Sequence, residues 1–270
     1  MTLSRRDFAQ IVAGVAAGFV LPVSVRASGH PRPVRQAAYF DWRRVSDRVR
    51  VAVGGGGNTL LYRGDRGALQ SDGKNFGLGR IVRREAEAHG TPVPHFVNTH
   101  HHGDHSGGND GFTDLPRVAH ANARPRIVAT AEANLGRARE ALPRTLAQLR
   151  DQGAAAEAIA DVEATLATID DLSAASFAPT ETFDTERELT VDGHPAELRW
   201  ASRGHTDGDA FVFLPQENVL HCGDLLFHGR HPFVDASSGA TPAGWIRCVD
   251  AMLALCDGDT VVIPGHGELT

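Results

Sequence analysis

The sequence predicts an α/β domain in which layers of sheet and helix share one core. Three observations carry that expectation. The chain has 270 residues, 41% of them hydrophobic, enough to bury one large core. Short apolar or alternating runs, the pattern of strands, occur before residue 98 and again after residue 197. Between them lies a long stretch whose apolar positions repeat at three and four, the pattern of an amphipathic helix. Strands, helices, then strands and helices again are the order of a layered domain.

The first 27 residues read as a targeting segment. Ser4-Arg5-Arg6-Asp7-Phe8 precedes an apolar stretch from Ala9 to Val25, and small residues surround Ala27. Basic, then hydrophobic, then small is a secretory layout, and the paired arginines resemble a twin-arginine signal. The apolar stretch is short for a membrane span, and no other stretch is long enough for one. The expected location is periplasmic or secreted, without stable membrane association once the signal is removed.

Residues 28–48, with Pro31, Pro33 and several arginines, read as a linker, and the folded domain is expected over 49–270. Val49–Val53 and Thr59–Tyr62 read as strands joined by Gly54–Gly57. That glycine run lacks the following Gly-Lys-Ser/Thr of a phosphate loop and no helix begins there, so it reads as a bend or turn. Residues 78–89 read as helix and Pro94–Asn98 as a short strand. From about Arg126 to Ser173 the chain turns helical, with Ile159, Val162, Leu166, Ile169 and Leu172 on one face. Pro143 and Gly153 are expected to divide this helical insertion into two or three helices, packed on the core or over a site. Glu197–Ala201, Phe211–Leu214 and Asn218–His221 read as strands. Thr241-Pro242 reads as an N-cap followed by proline at the first helical position. Trp245, Val249, Met252 and Cys256 then mark one helical face, and Thr260–Ile263 is the last strand, before Pro264-Gly265-His266.

Composition narrows the chemistry. A net charge of −6 and a pI near 6.1 provide no overall basic field to attract nucleic acid. Lys74 is the only lysine. Three cysteines are an odd number, and Cys248 and Cys256 lie eight apart in an expected helix, too far along its axis to bridge. Neither a disulfide framework nor a cysteine zinc site is expected. Histidine is the unusual residue: there are 14, and four fall within six positions.

Those four lie in Thr99-His100-His101-His102-Gly103-Asp104-His105. Four side chains of metal-ligand type, His100, His102, Asp104 and His105, lie close together, and zinc takes both imidazole nitrogen and carboxylate oxygen. Residues two apart on an extended loop point the same way, so His100 and His102 can share one metal. As the chain turns into a helix, Asp104 and His105 are aimed at a second. His101 alternates away from its neighbours, towards an outer shell or solvent. His221 is expected to face away from Asp224 on a strand. His228 and His231 read as ordinary loop residues, Cys222 as a small buried residue, and Trp245 as core.

The pattern His-x-His-x-Asp-His after a short strand resembles the metallo-β-lactamase superfamily, and the resemblance continues in order over about residues 49–270. Gly204-His205-Thr206 is similar to the family's third histidine, Gly223-Asp224-Leu225-Leu226-Phe227 to its bridging-aspartate segment, and Pro264-Gly265-His266-Gly267 to its last histidine loop. The resemblance implies a four-layer αββα sandwich with metals at one edge of the two sheets. By position it implies that His100, His102 and His205 bind one metal, that Asp104, His105 and His266 bind another, and that Asp224 bridges both. The implied cofactor is two Zn2+, with iron or manganese as alternatives. The implied activity is cleavage of an ester, thioester, lactone or amide in a small molecule by a metal-held hydroxide, with Asp104 as the catalytic residue that orients the water.

Departures within the family narrow this further. Asp224 stands where one major β-lactamase branch carries cysteine and another serine, so it resembles the glyoxalase-type and lactonase-type branches. His102 stands where the diiron flavoprotein branch carries glutamate, and a nuclease would need a second domain. The alternative activities are a β-lactamase and a mononuclear-iron persulfide dioxygenase. The alternative class is a non-catalytic metal-binding or partner protein, whose mark would be a missing ligand, and none is missing. Four residues follow His266 where the family usually adds helix, so the loop carrying His266 is expected to be less well supported.

Overall fold

Alternation along the strands sends one set of side chains inward, between two sheets, and the other outward onto helices. The computed structural model describes residues 39–269. One sheet runs in the order β1 (Asp41–Arg44), β2 (Val49–Val53), β3 (Thr59–Arg63), β4 (Ala68–Ser71), β5 (His95–Val97), β6 (Arg117–His120) and β7 (Glu181–Phe183). Its first four strands are antiparallel and the rest parallel. The other sheet is ordered β12 (Val261–Ile263), β11 (Val219–His221), β10 (Phe211–Leu214), β9 (His194–Arg199) and β8 (Glu186–Val191), with only β11 and β12 parallel.

Three buried clusters mark the three seams between four layers. Val51, Leu60, Tyr62 and Val97 of the first sheet meet Leu198, Val212, Leu214 and Val219 of the second. On the outer face of the first sheet, Ala52, Leu61, Phe96 and Ala119 pack under α1 (Gly79–Glu87), α3 (Ala123–Asp151) and α4 (Ala156–Thr168). On the outer face of the second, Phe211, Phe213 and Leu220 pack under α5 (Pro242–Leu253) through Cys248 and Met252. This is the αββα sandwich with an inserted helical segment.

Most of the expected elements are present. In α4 and the turn after it, Val162 and Ile169 are buried and Ile159, Leu166 and Leu172 pack partly buried beside them, so the helical stripe faces the core. The Thr241 hydroxyl accepts from Gly244 N at 3.0 Å and caps α5, with Pro242 at its start. Pro143 does not divide the insertion, because α3 runs through it for 29 residues. Leu135, Ala138, Leu142 and Leu149 anchor the helix to the core on both sides of the missing N–H, and tertiary burial outweighs the local penalty. Gly153, at φ +65°, does end the stretch.

The expected linker 28–48 needs correction over its described part, residues 39–48. Asp41–Arg44 pairs with β2 from Asp41↔Val53 to Arg44↔Arg50, and Tyr39 and Phe40 are buried beneath the helices. Glu85 ties this strand down by accepting from Tyr39 N at 2.7 Å and from the Trp42 indole at 2.9 Å. Of the arginines that suggested a linker, Arg43 and Arg44 lie on the edge strand of a sheet. Residues 1–38, including the expected signal, lie outside the described residues. No helix among the described residues is long and apolar enough to cross a membrane.

Candidate metal centre

The expected site residues come from loops at one edge of both sheets, after β5, β11 and β12 and before β10. Past β5 the chain stays tied to the sheet through Asn98 N on Val118 O at 2.8 Å. Asn98 and Asn109 exchange amide hydrogen bonds at 3.0 and 2.8 Å, which closes the loop around α2 (Gly103–Ser106). His102 is extended and α2 starts at the next residue, so the chain reverses its aim between His102 and His105. Two glycines keep the backbone close: a Cβ on Gly57 would overlap the His105 ring, and one on Gly265 would overlap the Asp224 carboxylate.

The seven residues expected from sequence fall into two groups. His100, His102, His205 and Asp224 bring one ligand-type atom each within 4.8 Å of the others, as do Asp104, His105 and His266. His102 Nδ1 lies 2.9 Å from His205 Nε2. His266 Nε2 lies 3.0 Å from Asp104 Oδ2. Asp224 stands between the groups: Oδ1 is 3.1 Å from His105 Nε2, and Oδ2 is 3.4 Å from both His205 Nε2 and His266 Nε2 and 3.8 Å from His100 Nε2. His101 points away, its Nε2 3.6 Å from Asp235.

Proton bookkeeping shows that these residues fit cations. The Phe233 carbonyl, 2.7 Å from His205 Nδ1, can only accept, so Nδ1 carries the proton and Nε2 presents a lone pair. His102 Nε2 lies 3.1 Å from the Asp235 carboxylate, which leaves a lone pair on Nδ1. Two lone pairs directed at each other across 2.9 Å repel unless a proton or a metal ion lies between them. His100 Nε2 is buried without a hydrogen-bond partner, which costs about 1–3 kcal/mol if left so, and His105 Nε2 and Asp224 Oδ1 have only each other, at 3.1 Å. Imidazole and carboxylate without thiolate are a donor set suited to a divalent ion in each group.

The electrostatics agree. Burial, helped by His105, holds His100 well below the usual imidazole value, and burial takes His205 down to about 4. Burial also opposes protonation of His105, but Asp224, Asp104 and Asp72 overcome it and push His105 well above its ordinary value. Burial alone would raise Asp104, yet His105 and His266 bring it down to about 2. A proton on His105 therefore balances three carboxylates, and a divalent cation supplies the same balance while displacing the proton.

Several supporting residues were not read from the sequence. Asp72, just after β4 at φ +67°, accepts from Thr99 N, Thr99 Oγ1 and His105 Nδ1, all at 2.8 Å. Asp209 holds the His205 turn by accepting from Gly204 N and from the amide and hydroxyl of Thr206, although burial lifts its carboxyl to about 7. Asp235 orients His102. The one signal available for Asp209 is Thr206-x-x-Asp209, a local side-chain turn. The residues set aside are placed as follows. His221 is buried between the sheets, its Nδ1 3.1 Å from Ser71 Oγ. His228 and His231 are exposed, Cys222 is buried, and the Trp245 indole donates to Leu225 O at 2.9 Å.

The loop carrying His266 is better supported than expected. Asn58 donates from its backbone to Gly265 O at 2.7 Å and from its side chain to Pro264 O at 2.9 Å and Gly267 O at 3.1 Å. His228 N donates to His266 O at 2.9 Å, and Gly265 N to Gly223 O at 2.7 Å.

Lys74, fully buried at φ +70°, steadies the glycine turn beside His105. Its ammonium donates to Ala52 O and Gly57 O at 2.6 Å each and lies 5.3 Å over the Phe40 ring. Burial lowers its pKa from 10.5 to about 7, against the pull of Asp72 and Asp104. The folded value lies below the unfolded one, so this group costs stability most below pH 7, and the cost is relieved as pH rises towards 10.5. Metal-free Lys74→Met should therefore lose ground to the parent between pH 7 and 10.5, by up to about 5 kcal/mol in denaturant unfolding. A difference independent of pH would show that the ammonium is not penalised.

A profile of the Metallo-beta-lactamase superfamily matches residues 53–266. Among curated proteins, the chain is 28% identical over 90 residues to the metallo-beta-lactamase type 2 of Bacteroides fragilis, covering 33% of this chain and 36% of that protein. It is also 28% identical over 229 residues to the 2,4-dinitroanisole O-demethylase subunit alpha of Nocardioides sp. (strain JS1661), covering 82% of this chain and 56% of that one. The chain thus matches about a third and about half of the lengths of these two relatives. Among solved structures, the metallo-beta-lactamase FIM-1 from Pseudomonas aeruginosa in its mono-zinc form superposes with a TM-score of 0.60. The identity is 17%, over 86% of this chain and 89% of that one, a likeness of fold.

Proposed function

The chain belongs to the Metallo-beta-lactamase superfamily, and from that premise we propose that it is a zinc-dependent hydrolase of an ester, thioester, lactone or amide in a small molecule. The observation that carries this proposal is the Asp224 carboxylate lying between two groups of converging imidazoles, with His100 Nε2 buried and without a hydrogen-bond partner. His100, His102 and His205 would hold one zinc, Asp104, His105 and His266 the other, and Asp224 both. Bound zinc lowers the pKa of water to about 7 and polarises the bond to be cleaved.

The protein's own groups account for the rest. Asp104 is about one-third exposed, the most open member of its group, so its carboxylate can orient a water and accept its proton. Asp72 and Asp235 fix which nitrogen His105 and His102 present. Aspartate at 224, rather than cysteine or serine, supports a glyoxalase-like or lactonase-like branch over a β-lactamase. The match with the O-demethylase subunit over 82% of the chain favours a second substrate type, an activated aryl ether. The N-terminal Ser4-Arg5-Arg6-Asp7-Phe8 and the apolar run after it support export of the folded enzyme to the periplasm.

The test is metal content together with a hydrolase panel of lactones, thioesters, β-lactams and a nitroaryl ether. We expect two equivalents of zinc, activity that falls below about one per cent on chelation, and recovery on adding zinc back. Full activity in the chelated, metal-free protein would refute the proposal. One equivalent of iron with oxygen uptake on a persulfide would indicate the dioxygenase instead.

A further inference from the structure

Among the described residues four large hydrophobic side chains are exposed, and one of them, Phe233, adjoins the metal centre, with Val234 next to it in the chain. The Phe233 ring is 59% exposed, and its centroid lies 6.0 Å from both the His102 and the His205 rings. His102 is itself 22% exposed, so the phenyl stands on the open side of the first group. Phe227 stacks on His266 at 5.4 Å and lies 5.7 Å from His205, extending the apolar surface along the centre.

The phenyl is held there by the metal-ligand scaffold. His205 Nδ1 donates to Phe233 O at 2.7 Å, and Asp235 N donates back to His205 O at 3.1 Å. The Asp235 carboxylate is fixed by His102, Ser237 and Ser238. The backbone at 233–235 is therefore stapled to two of the histidines, and a ring carried on an ordered backbone loses less freedom when an apolar group binds it. From Leu225 to Val234 the chain carries no acidic residue, so the rim is apolar to basic.

We infer that Phe233, with Val234, is the specificity wall of this centre and selects substrates whose acyl group is aromatic or a medium-length alkyl chain. This rests on the hydrolase proposal above. A bare acetyl group does not reach the ring, whereas a phenylacetyl or hexanoyl group covers it. Each methylene withdrawn from water is worth about fourfold in affinity, so partial cover by four carbons gives about tenfold or more.

The test is calorimetric binding of acetohydroxamate, hexanohydroxamate and phenylacetohydroxamate to the zinc-loaded protein. The two larger ligands should bind at least about tenfold tighter than the smallest. Phe233→Ala should collapse that preference to within about threefold, and Phe233→Leu should keep the hexanoyl preference while losing the phenyl one. Thermal melting and zinc content of each variant confirm that fold and centre persist. Equal binding of all three to the parent, or a preference that survives Phe233→Ala, overturns the wall while leaving the hydrolase proposal intact. Binding that is the same with and without zinc overturns both.

Discussion

Replacing Asp224 with alanine is expected to empty both cation groups at once and to cut hydrolysis by on the order of a thousandfold or more. Removing an outer partner of a metal ligand costs about 10–100-fold, and a residue that would be shared by two ions, as proposed for Asp224, stands above that range. Its oxygens lie within 3.1–3.8 Å of His100, His105, His205 and His266, so no single group can be lost alone. The loss should not come from unfolding. Asp224 is buried beside Asp104, the two carboxylates repel, and their neutralisation depends on protonated histidine. The metal-free variant should therefore melt close to the metal-free parent, while only the parent gains stability on adding zinc. Elemental analysis and melting with and without zinc check this. Two retained equivalents of metal would show that Asp224 lies beside the centre without holding it.

The seven residues of the two groups were legible because their spacing is local or sits in short recognisable loops. A strand running into His100-His101-His102-Gly103-Asp104-His105 leaves the chain few ways to aim four ligand-type side chains. Asp72 was not legible. It lies 33 residues before His105 and meets it only because β4 and β5 are parallel neighbours. Nothing in Ser71-Asp72-Gly73 distinguishes it from an ordinary turn. The strands follow the same division. β2, β3, β10 and β11 are apolar enough to read alone, but β8, with two glutamates and an arginine, is half exposed and takes its shape from β9. Pro195 hid the start of β9, and the structure tolerates it because β10 pairs only with Glu197–Arg199, leaving that side of the proline open. The helical insertion was read correctly as amphipathic, but Pro143 was overrated, since a local penalty of about 3 kcal/mol is smaller than what its buried face returns.

Asp72→Asn should separate the second group from the first without unfolding the protein. Asp72 Oδ1 accepts from the backbone N–H of Thr99, which cannot rotate or turn acceptor. The amide oxygen of the substituted side chain must therefore take that position, which places its NH2 where Oδ2 now faces Thr99 Oγ1 and His105 Nδ1. The threonine hydroxyl can rotate and accept. His105 can accept only by moving its proton from Nδ1 to Nε2, the nitrogen that faces Asp224. An imidazole protonated there has no lone pair for a metal, so the cost exceeds ordinary loosening, and affinity in the second group should fall on the order of a hundredfold. His100, His102 and His205 do not contact Asp72 and should keep their ion. Asparagine tolerates the φ of +67° and keeps every donor paired, so stability should stay within about 2 kcal/mol of the parent. Asp72→Ala, by contrast, orphans three buried donors and should cost about 3–5 kcal/mol. Stoichiometric zinc titration of the asparagine variant decides the matter: one tight equivalent is expected, and two would mean that Asp72 leaves the His105 tautomer free.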